Sequence, residues 1–553
     1  MTAQEKLANA MFPDVTVTPE HFENMYPPRQ LKEGARVTRI APSPTGYLHL
    51  GVLYSAMVDK LTADATGGVF YFRLEDTDQK REVEGGTEDL LRGLNAYGIT
   101  PQEGFIAPGE VKGNYGPYRQ RERAGIYHVY AKSLVEQGLA YPCFCTEEAR
   151  QAAREQQEKA KARTGYYGEY ALCRRFSAEE ALARVDAGES YVVRLRSPGN
   201  EANRVKFDDL IRGTIEMPEN DEDIVLLKSD GIPTYHFAHA VDDHLMRTTH
   251  VLRGDEWISS VPKHLQLFRV LGFKPPKYGH ISPIMKEDNG GKRKISKRKD
   301  PEAAVRYFAE QGYPADSVIE YLMTIASSDF EEWRRRNPDA PRSAFPFNLK
   351  KMSASGALFD TDKLNDVSKT VISRMDAGAV TDAVIAWAAE YAPEFHALLV
   401  RDRDYARGVF AIDRGGNKPR KDLAKWADAP DYAAYLFDET FTVCPTAALP
   451  ETIAPADAKA VLAAYRNVYD PAQDKQAWFQ TIKELCPSLG FCPEVKEYKK
   501  NPEGWKGHAG DVSTILRVAV TGRTNTPDLC SIMQLLGKAR VLARIGRAAE
   551  ELV

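Results

Sequence analysis

Hydrophobic positions near the start of the chain repeat with two different periods. Apolar side chains recur at helical spacing over residues 50–61, and the apolar run at 69–74 is typical of a buried strand. Prolines and Gly46 predict a turn before the helix, and Gly67 ends it. This pattern predicts a βαβ unit with His49 at the start of its helix. Backbone N–H groups and the helix dipole converge there and favour an anion such as a phosphate.

The pattern changes after residue 115. Helices and short strands are predicted at residues 122–137, 146–161, 191–196, 204–208 and 214–217, which together form an α+β insertion. Strand patterns return at 224–228 and from Thr249, so the insertion separates two half-sheets. Beyond residue 365 the periodicity is helical almost throughout, with helices predicted at 381–391, 456–468, 474–485, 511–520 and 527–542. We therefore expect an α/β half followed by an all-α half.

Length and composition narrow the class of protein. The 553 residues suffice for several domains at ~150 residues each, and 43% of them are hydrophobic. The net charge of -4 means that any RNA contact must rest on local basic patches. The sequence has no apolar run long enough to span a membrane and no signal-peptide pattern, so we expect a cytoplasmic protein without a membrane partner. Buried thiols are predicted at Cys444, Cys486, Cys492 and Cys530.

The motif at residues 39–52, Arg-Ile-Ala-Pro-Ser-Pro-Thr-Gly-Tyr-Leu-His-Leu-Gly-Val, resembles the first catalytic motif of the class I aminoacyl-tRNA synthetases. It has the form that bacterial-type glutamyl-tRNA synthetases use. Further segments resemble that family in its own order, at residues 72–78, 115–120, 233–238, 241–244, 252–257 and 294–298. An ordered series of this kind is more specific than one short motif.

The resemblance implies a multidomain fold, α/β plus all-α. Its parts are an N-terminal extension (1–35), a split Rossmann-like catalytic domain (36–115 and 223–286), an insertion that binds the tRNA acceptor end (116–222), a Lys-Ile-Ser-Lys-Arg loop with a stem-contact module (287–370) and a helical anticodon-binding region (371–553). For the extension we expect a helix packed on the body.

The activity implied by the resemblance is ATP-dependent ligation of L-glutamate to tRNA-Glu through a glutamyl-adenylate. ATP enters with Mg²⁺ as a substrate complex, and the family expectation is a monomer. Attack of a carboxylate on the α-phosphate needs no protein nucleophile. It needs positioning and neutralisation of charge on the phosphates.

Residues that bind ATP are expected in the first catalytic motif and in the Lys-Ile-Ser-Lys-Arg loop. His49, Lys294 and Lys297 are the candidate catalytic residues, and Gly51, Ser296 and Arg298 complete the candidate ATP site. Six of the eight residues at 292–299 are basic. Alone, such a run is more often a solvated surface loop.

Glutamate recognition needs a guanidinium, which binds a side-chain carboxylate bidentately. Arg39 and Arg253 are the candidates, and the resemblance adds Ser43, Glu75, Tyr235 and His239. Two structural alternatives stay open. Arg253 could pair with Asp255 or Glu256, and Glu75 could belong to a helix-capping cluster.

A zinc site is suggested by Cys143-x-Cys145 and Cys173, since zinc takes four soft or borderline ligands. Tyr170 is the predicted fourth ligand. Tyr166, Tyr167 and Glu169 are further candidates, and a zinc-free knuckle with buried thiols is equally compatible with the sequence.

Other functions compete with this interpretation. A non-discriminating enzyme would also charge tRNA-Gln with glutamate, and a silent paralogue would bind tRNA without catalysis. A tRNA-modifying relative would end near the catalytic domain, and a glutaminyl-tRNA synthetase would have a β-rich carboxyl half.

Overall fold

The chain forms two compact units. One consists of Met1–Tyr307 and Ile319–Asp360, the other of Phe308–Val318 and Thr361–Val553. The computed structural model describes residues 1–44, 46–78, 82–416, 419–442 and 449–552. None of the helices within these ranges is long and apolar enough to cross a bilayer.

Fourteen strands and twelve α-helices precede residue 361 in the described ranges. The strands are β1 (Val37–Ile40), β2 (Val69–Phe72), β3 (Glu103–Ala107), β4 (Glu110–Lys112), β5 (Ala140–Cys143), β6 (Val192–Leu195), β7 (Arg204–Asp209), β8 (Gly213–Pro218), β9 (Val225–Leu227), β10 (His250–Gly254), β11 (Lys277–Ile281), β12 (Ile284–Asp288), β13 (Gly291–Lys294) and β14 (Ala357–Leu358). The helices are α1 (Ala3–Met11), α2 (Pro19–Met25), α3 (Leu50–Asp64), α4 (Gly86–Ala96), α5 (Ala124–Glu136), α6 (Glu147–Lys159), α7 (Ala178–Asp186), α8 (Tyr235–Leu245), α9 (Val261–Val270), α10 (Arg306–Gln311), α11 (Ala315–Ala326) and α12 (Phe330–Arg336). Short 3-10 turns include Gln120–Arg123, Leu172–Arg175, Asp255–Ser260 and Pro301–Ala303.

The two predicted half-sheets meet at β1. Strands β1, β2 and β3 pair in parallel, and β10 pairs in parallel with β11. The Thr249 N–H donates to the Val37 carbonyl oxygen (3.0 Å), which joins the start of β10 to β1. Arg39 in β1 and Arg253 in β10 therefore lie toward the carboxyl ends of neighbouring strands, where doubly wound sheets bind ligands.

The insertion between the half-sheets has an antiparallel sheet of its own. Strand β6 lies between β5 and β9, and β7 and β8 form a separate hairpin. The strand predicted at residues 224–228 exists as β9, but it pairs with β6 instead of joining the parallel sheet. Periodicity cannot reveal this, because a buried apolar run fits either sheet. The parallel sheet resumes only at β10.

The N-terminal extension packs on the body, as expected. Helix α1 has a capping box between Thr2 and Glu5, and Leu7 and Met11 share a buried cluster with Tyr127 and Leu134 of α5.

Helices make up the second unit after residue 360, as the periodicity predicts. They are Thr361–Arg374, Ala377–Tyr391, Pro393–Arg401, Arg403–Ala411, Ala429–Ala433, Pro455–Val468, Lys475–Leu489, Val495–Tyr498, Ala509–Thr521, Leu529–Leu536 and Lys538–Glu551. The helix predicted at 527–542 is two helices, since Gly537 between them has φ +81°. Cys486, Cys492 and Cys530 are buried, which confirms the prediction, while Cys444 lies outside the described residues.

A cluster of buried charges lies beneath the carboxyl ends of β1 and β2. Asp243 is fully buried, with its carboxylate 2.6 Å from Arg73 Nη1 and 3.3 Å from Arg39 Nε. Burial alone would raise the pKa of Asp243, but Arg39 and Arg73 hold it well below its usual value. Next to it, Asp242 accepts from Arg123 Nε at 2.7 Å. The Asp243 pairs join strand ends to helix α8, and the Asp242 pair joins the turn Gln120–Arg123 to the same helix.

Removing the charge of Asp243 should destabilise the first unit. Asp243→Asn leaves Arg39 and Arg73 without their shared anion, and we expect a loss of about 3–5 kcal/mol in the free energy of unfolding. Urea unfolding followed by circular dichroism measures it. Glu216→Gln, which breaks the exposed Lys206–Glu216 pair (3.0 Å), is the control and should lose less than about 1 kcal/mol. Equal losses in the two variants would contradict the interpretation.

Candidate active site

An open cleft of about 500 Å³ lies at the carboxyl edge of the parallel sheet. Of the twelve residues predicted to bind ATP or glutamate, eight line it: Arg39, Ser43, His49, Gly51, Glu75, Tyr235, Arg253 and Lys294. Four lie outside its lining: His239, Ser296, Lys297 and Arg298. The cleft therefore gathers residues from both predicted substrate sites.

His49 is the N-cap of helix α3. Its Nδ1 accepts a hydrogen bond from the Gly51 N–H (2.9 Å), so a neutral ring carries its proton on Nε2. Burial, with Lys297 and Lys294 nearby, lowers the pKa of His49 to about 4. The ring is thus neutral at pH 7, and its Nε2–H is a hydrogen-bond donor at a helix N-terminus. A Cβ at residue 51 would lie 3.2 Å from His49 Nδ1, so a larger residue there would require the ring to shift.

The basic loop is held in shape by one buried acid. Asp300 accepts from Arg293 Nη1 (2.6 Å) and Nη2 (2.8 Å), and also from the Ser296 N–H (2.9 Å). Arg293 is thereby committed to the loop itself. The pairing of β12 with β13 directs Lys294 to the cleft.

Lys297 lies outside the cleft lining and contacts the first motif, residues 39–52. Its Nζ donates to the Tyr47 carbonyl oxygen at 2.8 Å, and the Val305 N–H donates to the Leu48 carbonyl oxygen at 3.2 Å. The first motif (residues 39–52) and the basic loop (residues 292–299), about 250 residues apart in the chain, are therefore in direct contact. Arg298 is exposed to solvent beside them.

Arg253 is held by neutral partners. It is 7% exposed, and its Nε–H donates to His280 Nε2 (3.2 Å). Nη2 lies 3.2 Å from His264 Nδ1 and 3.3 Å from the Trp257 carbonyl oxygen. The alternative of a structural ion pair does not apply, since Asp255 pairs with Arg212 (2.7 Å) and no carboxylate in the described part of the chain forms an ion pair with Arg253.

The remaining donors of Arg253 and Tyr235 converge. Nη1 donates to the Tyr235 hydroxyl oxygen (3.3 Å), and that hydroxyl keeps its own proton because burial raises the pKa of Tyr235. Of the five guanidinium N–H groups, the second on Nη1 has no acceptor among the described residues. One N–H and one O–H are thus left beside a full positive charge, an arrangement that suits a carboxylate.

Arg39 differs from Arg253 in having a counter-ion. Its Nε is 3.3 Å from both oxygens of Asp243, and it is 3% exposed. Glu75, 8% exposed, accepts from Arg73 Nη2 at 3.1 Å, and burial raises its pKa despite that partner. A cationic ligand group near Glu75 would therefore relieve an unfavourable buried charge. Glu75 therefore pairs with Arg73 instead of capping a helix.

His239 lies behind the cleft wall. It is fully buried, with Nδ1 2.7 Å from Asp243 and Nε2 3.0 Å from the Tyr278 hydroxyl. The predicted contact of His239 with a ligand is therefore not matched by the geometry: the Tyr235 ring, 5.9 Å away and stacked on it, lies in the wall instead.

Sequence reasoning did not single out the aromatic wall residue Trp257 or the residues that surround Arg253. Trp257 lines the cleft, and its ring lies 4.2 Å from that of Tyr235. It belongs to the segment at 252–257, so the motif contained it without marking its role. His264 and His280 carry no such signal, because they lie outside the quoted motifs.

Three thiols gather in the insertion. The Sγ atoms of Cys143, Cys145 and Cys173 all lie within 4.8 Å of one another. Hydrogen bonds from Cys145 and Cys173 lower the pKa of Cys143, which favours a thiolate. The nearby tyrosine is Tyr166, whose hydroxyl is 3.3 Å from the sulfurs of Cys143 and Cys145. Tyr170, the predicted fourth ligand, packs instead against the Tyr167 ring.

Two families of known domains match the chain. Residues 36–366 match the catalytic domain of the class I tRNA synthetases (E and Q), and residues 419–549 match an anticodon binding domain.

Relatives match over nearly the whole length. A glutamate–tRNA ligase of Clostridium perfringens is 50% identical over 543 residues, which cover 98% of this chain and 100% of that protein. One of Sorangium cellulosum is 46% identical over 555 residues, covering 96% and 97%. A crystal structure of a glutamate tRNA ligase from Elizabethkingia meningosepticum, in complex with its amino acid, has a TM-score of 0.73 at 26% identity and covers 94% of this chain and 100% of that one.

Proposed function

The chain belongs to the class I tRNA synthetases for glutamate and glutamine, and we propose that it is a glutamate–tRNA ligase. The α-carboxylate of glutamate attacks the α-phosphorus of ATP, which gives glutamyl-adenylate and pyrophosphate. A hydroxyl of the terminal tRNA ribose then attacks the acyl carbon and AMP leaves. The observation that carries the proposal is Arg253, a buried guanidinium to which no described residue supplies a counter-ion, in one cleft with His49 and Lys294.

Selection of glutamate rests on the donors of Arg253 and Tyr235. A carboxylate accepts from both the Nη1–H and the tyrosine O–H, and it neutralises the guanidinium. The amide of glutamine carries no charge and would turn donors toward donors if its NH₂ group faced Arg253. Ser43 and Arg39 complete the carboxylate side of the site, and Glu75 takes the substrate ammonium.

ATP occupies the other side of the cleft. The Nε2–H of His49 donates to a phosphate oxygen, aided by the N-terminus of α3. Gly51 leaves room for the nucleotide. Lys294 and Lys297, with Ser296 and Arg298 of the same loop, stabilise the departing pyrophosphate and its Mg²⁺ complex.

The remaining regions serve tRNA. We assign residues 116–222 to the acceptor end, 287–370 to the stem and 371–553 to the anticodon, which the match of an anticodon binding domain at 419–549 supports. The protein acts as a cytoplasmic monomer in this proposal.

Zinc suits the cysteine cluster of the insertion. Three thiols at this spacing, one of them with a lowered pKa, are an appropriate donor set. The ion would supply structural cross-linking between β5 and the turn at Leu172–Arg175. Tyr166 stands nearest as a fourth group.

Aminoacylation with purified tRNA tests the function. The protein should transfer glutamate, and not glutamine, to tRNA-Glu when ATP and Mg²⁺ are present. Parallel reactions with tRNA-Gln distinguish a discriminating from a non-discriminating enzyme. Absence of glutamyl-tRNA with both tRNAs, from protein that still binds tRNA, would favour a silent paralogue.

His49 should contribute to the reaction without being essential to the fold. His49→Asn keeps a side-chain acceptor for the Gly51 N–H but loses the donor at Nε2. We expect kcat for ATP–pyrophosphate exchange, with tRNA and glutamate present, to fall about 10²–10³-fold at near wild-type stability. His49→Ala should lose a similar rate and, in addition, about 1 kcal/mol of stability. Wild-type kcat in the asparagine variant would refute the phosphate contact.

Zinc should copurify with the protein and depend on the thiols. Metal analysis after purification without added zinc should give about one equivalent, because structural sites bind tightly. Cys145→Ser should release it. Tyr166→Phe and Tyr170→Phe form a matched pair, and only the Tyr166 change should weaken retention against a chelator. Less than about a tenth of an equivalent in the wild type would exclude the site.

A further inference from the structure

A chain of two buried side chains leads to the guanidinium of Arg253. Asp209, at the end of β7, accepts from His280 Nδ1 at 2.6 Å, and His280 Nε2 accepts from Arg253 Nε at 3.2 Å. His280 is fully buried and Asp209 is 4% exposed. Strands β10 and β11 bring Arg253 and His280 directly opposite each other in the register. The pairing of β10 with β11 therefore brings the side chains of Arg253 and His280 into contact.

The protonation of this chain is determined by its partners. Although burial alone would raise the pKa of Asp209, hydrogen bonds from His280 and from the N–H groups of Arg212 and Ile211 lower it. Burial, with Arg253 adding to it, lowers the pKa of His280 against the effect of Asp209. A neutral His280 that donates from Nδ1 to a carboxylate leaves a lone pair on Nε2. That lone pair is what the Arg253 Nε–H needs.

A neutral acceptor has one advantage over a carboxylate. It fixes the plane of the guanidinium but leaves its charge uncompensated. Asp243, by contrast, both orients Arg39 and compensates its charge. His264 acts on Arg253 as His280 does, from the other side through Nδ1 (3.2 Å). No described residue supplies a counter-ion to Arg253, so this role is left to the ligand carboxylate.

We propose that Asp209 and His280 are positioning residues for glutamate recognition: Asp209 selects the tautomer in which His280 orients Arg253 without neutralising it. The inference rests on the proposed ligase function. Neither residue lines the cleft, so both act through Arg253. Since the side-chain carboxylate does not react, its binding is the same in ground and transition states, and defects should appear in KM.

Two variants break the chain at different points. His280→Phe retains a ring but removes the acceptor. Asp209→Asn keeps an oxygen for the turn N–H groups of Ile211 and Arg212 (3.0 and 2.9 Å), while its NH₂ group donates to Nδ1 and forces the proton to Nε2, against Arg253. Each should raise the glutamate KM about tenfold to a hundredfold, as expected for losing a hydrogen bond to a charged group, with kcat and the ATP KM within about threefold of wild type.

His280→Gln is the matched rescue variant. Its side-chain oxygen can lie near the Nε2 position, so it should restore the glutamate KM to within about threefold of wild type. A merely structural role for residue 280 predicts no difference between the phenylalanine and glutamine variants. It also predicts that ATP and glutamate KM values change together.

ATP–pyrophosphate exchange with tRNA, over ranges of glutamate and of ATP, measures these constants. An unchanged glutamate KM in Asp209→Asn and His280→Phe overturns the inference, and so does an equal defect in His280→Gln and His280→Phe. If His280→Phe does not fold, Asp209→Asn and His280→Gln decide the question. Failure of the wild type to use glutamate would overturn the proposed function instead, so the two outcomes are distinguishable.

Discussion

The ion pairs of Asp243 with Arg73 and Arg39 are the constraint on which the cleft depends. Three charged groups with almost no access to water can stay ionised only if their geometry is nearly fixed. Asp243 is on α8, while Arg39 and Arg73 come from β1 and from just after β2. The two halves of the parallel sheet are therefore joined by charge as well as by backbone hydrogen bonds. A shift of α8 would remove the carboxylate partner of buried Arg39 and would leave Arg73 with Glu75 alone.

The two arginines of the cleft have opposite kinds of partner. Arg39 has a carboxylate and so forms a stable, electrically balanced part of the wall. Arg253 has imidazoles, a hydroxyl and a carbonyl, which orient it without balancing its charge. An unbalanced buried cation is unfavourable for folding, and it is the group that gains most from an incoming anion. Arg39 therefore contributes to stability as well as to the proposed glutamate site, whereas Arg253 is the arginine whose charge is left for a ligand.

Prediction from sequence succeeded where neighbouring residues act together. His49, Gly51 and the turn before α3 are consecutive, so periodicity and turn residues locate a helix N-terminus directly. It failed where a contact joins distant strands. Asp209 and His280 are 71 residues apart and meet only because the insertion's β7 ends beside β11, which no local pattern reveals. For the same reason the sequence could not separate Tyr166 from Tyr170, or assign β9 to its sheet.

The loop between β1 and α3 can serve both substrates because its two ends face different groups. Arg39 is still in the strand, tied to Asp243, whereas His49 already caps the helix through Gly51. Lys297 holds the middle of this loop by the Tyr47 carbonyl, from a segment whose own shape depends on Asp300. In the proposed function, the Lys297 ammonium has three N–H donors, so it can keep the Tyr47 contact and also donate to pyrophosphate. The same lysine therefore positions the loop and, in the proposed function, binds the nucleotide that the loop receives.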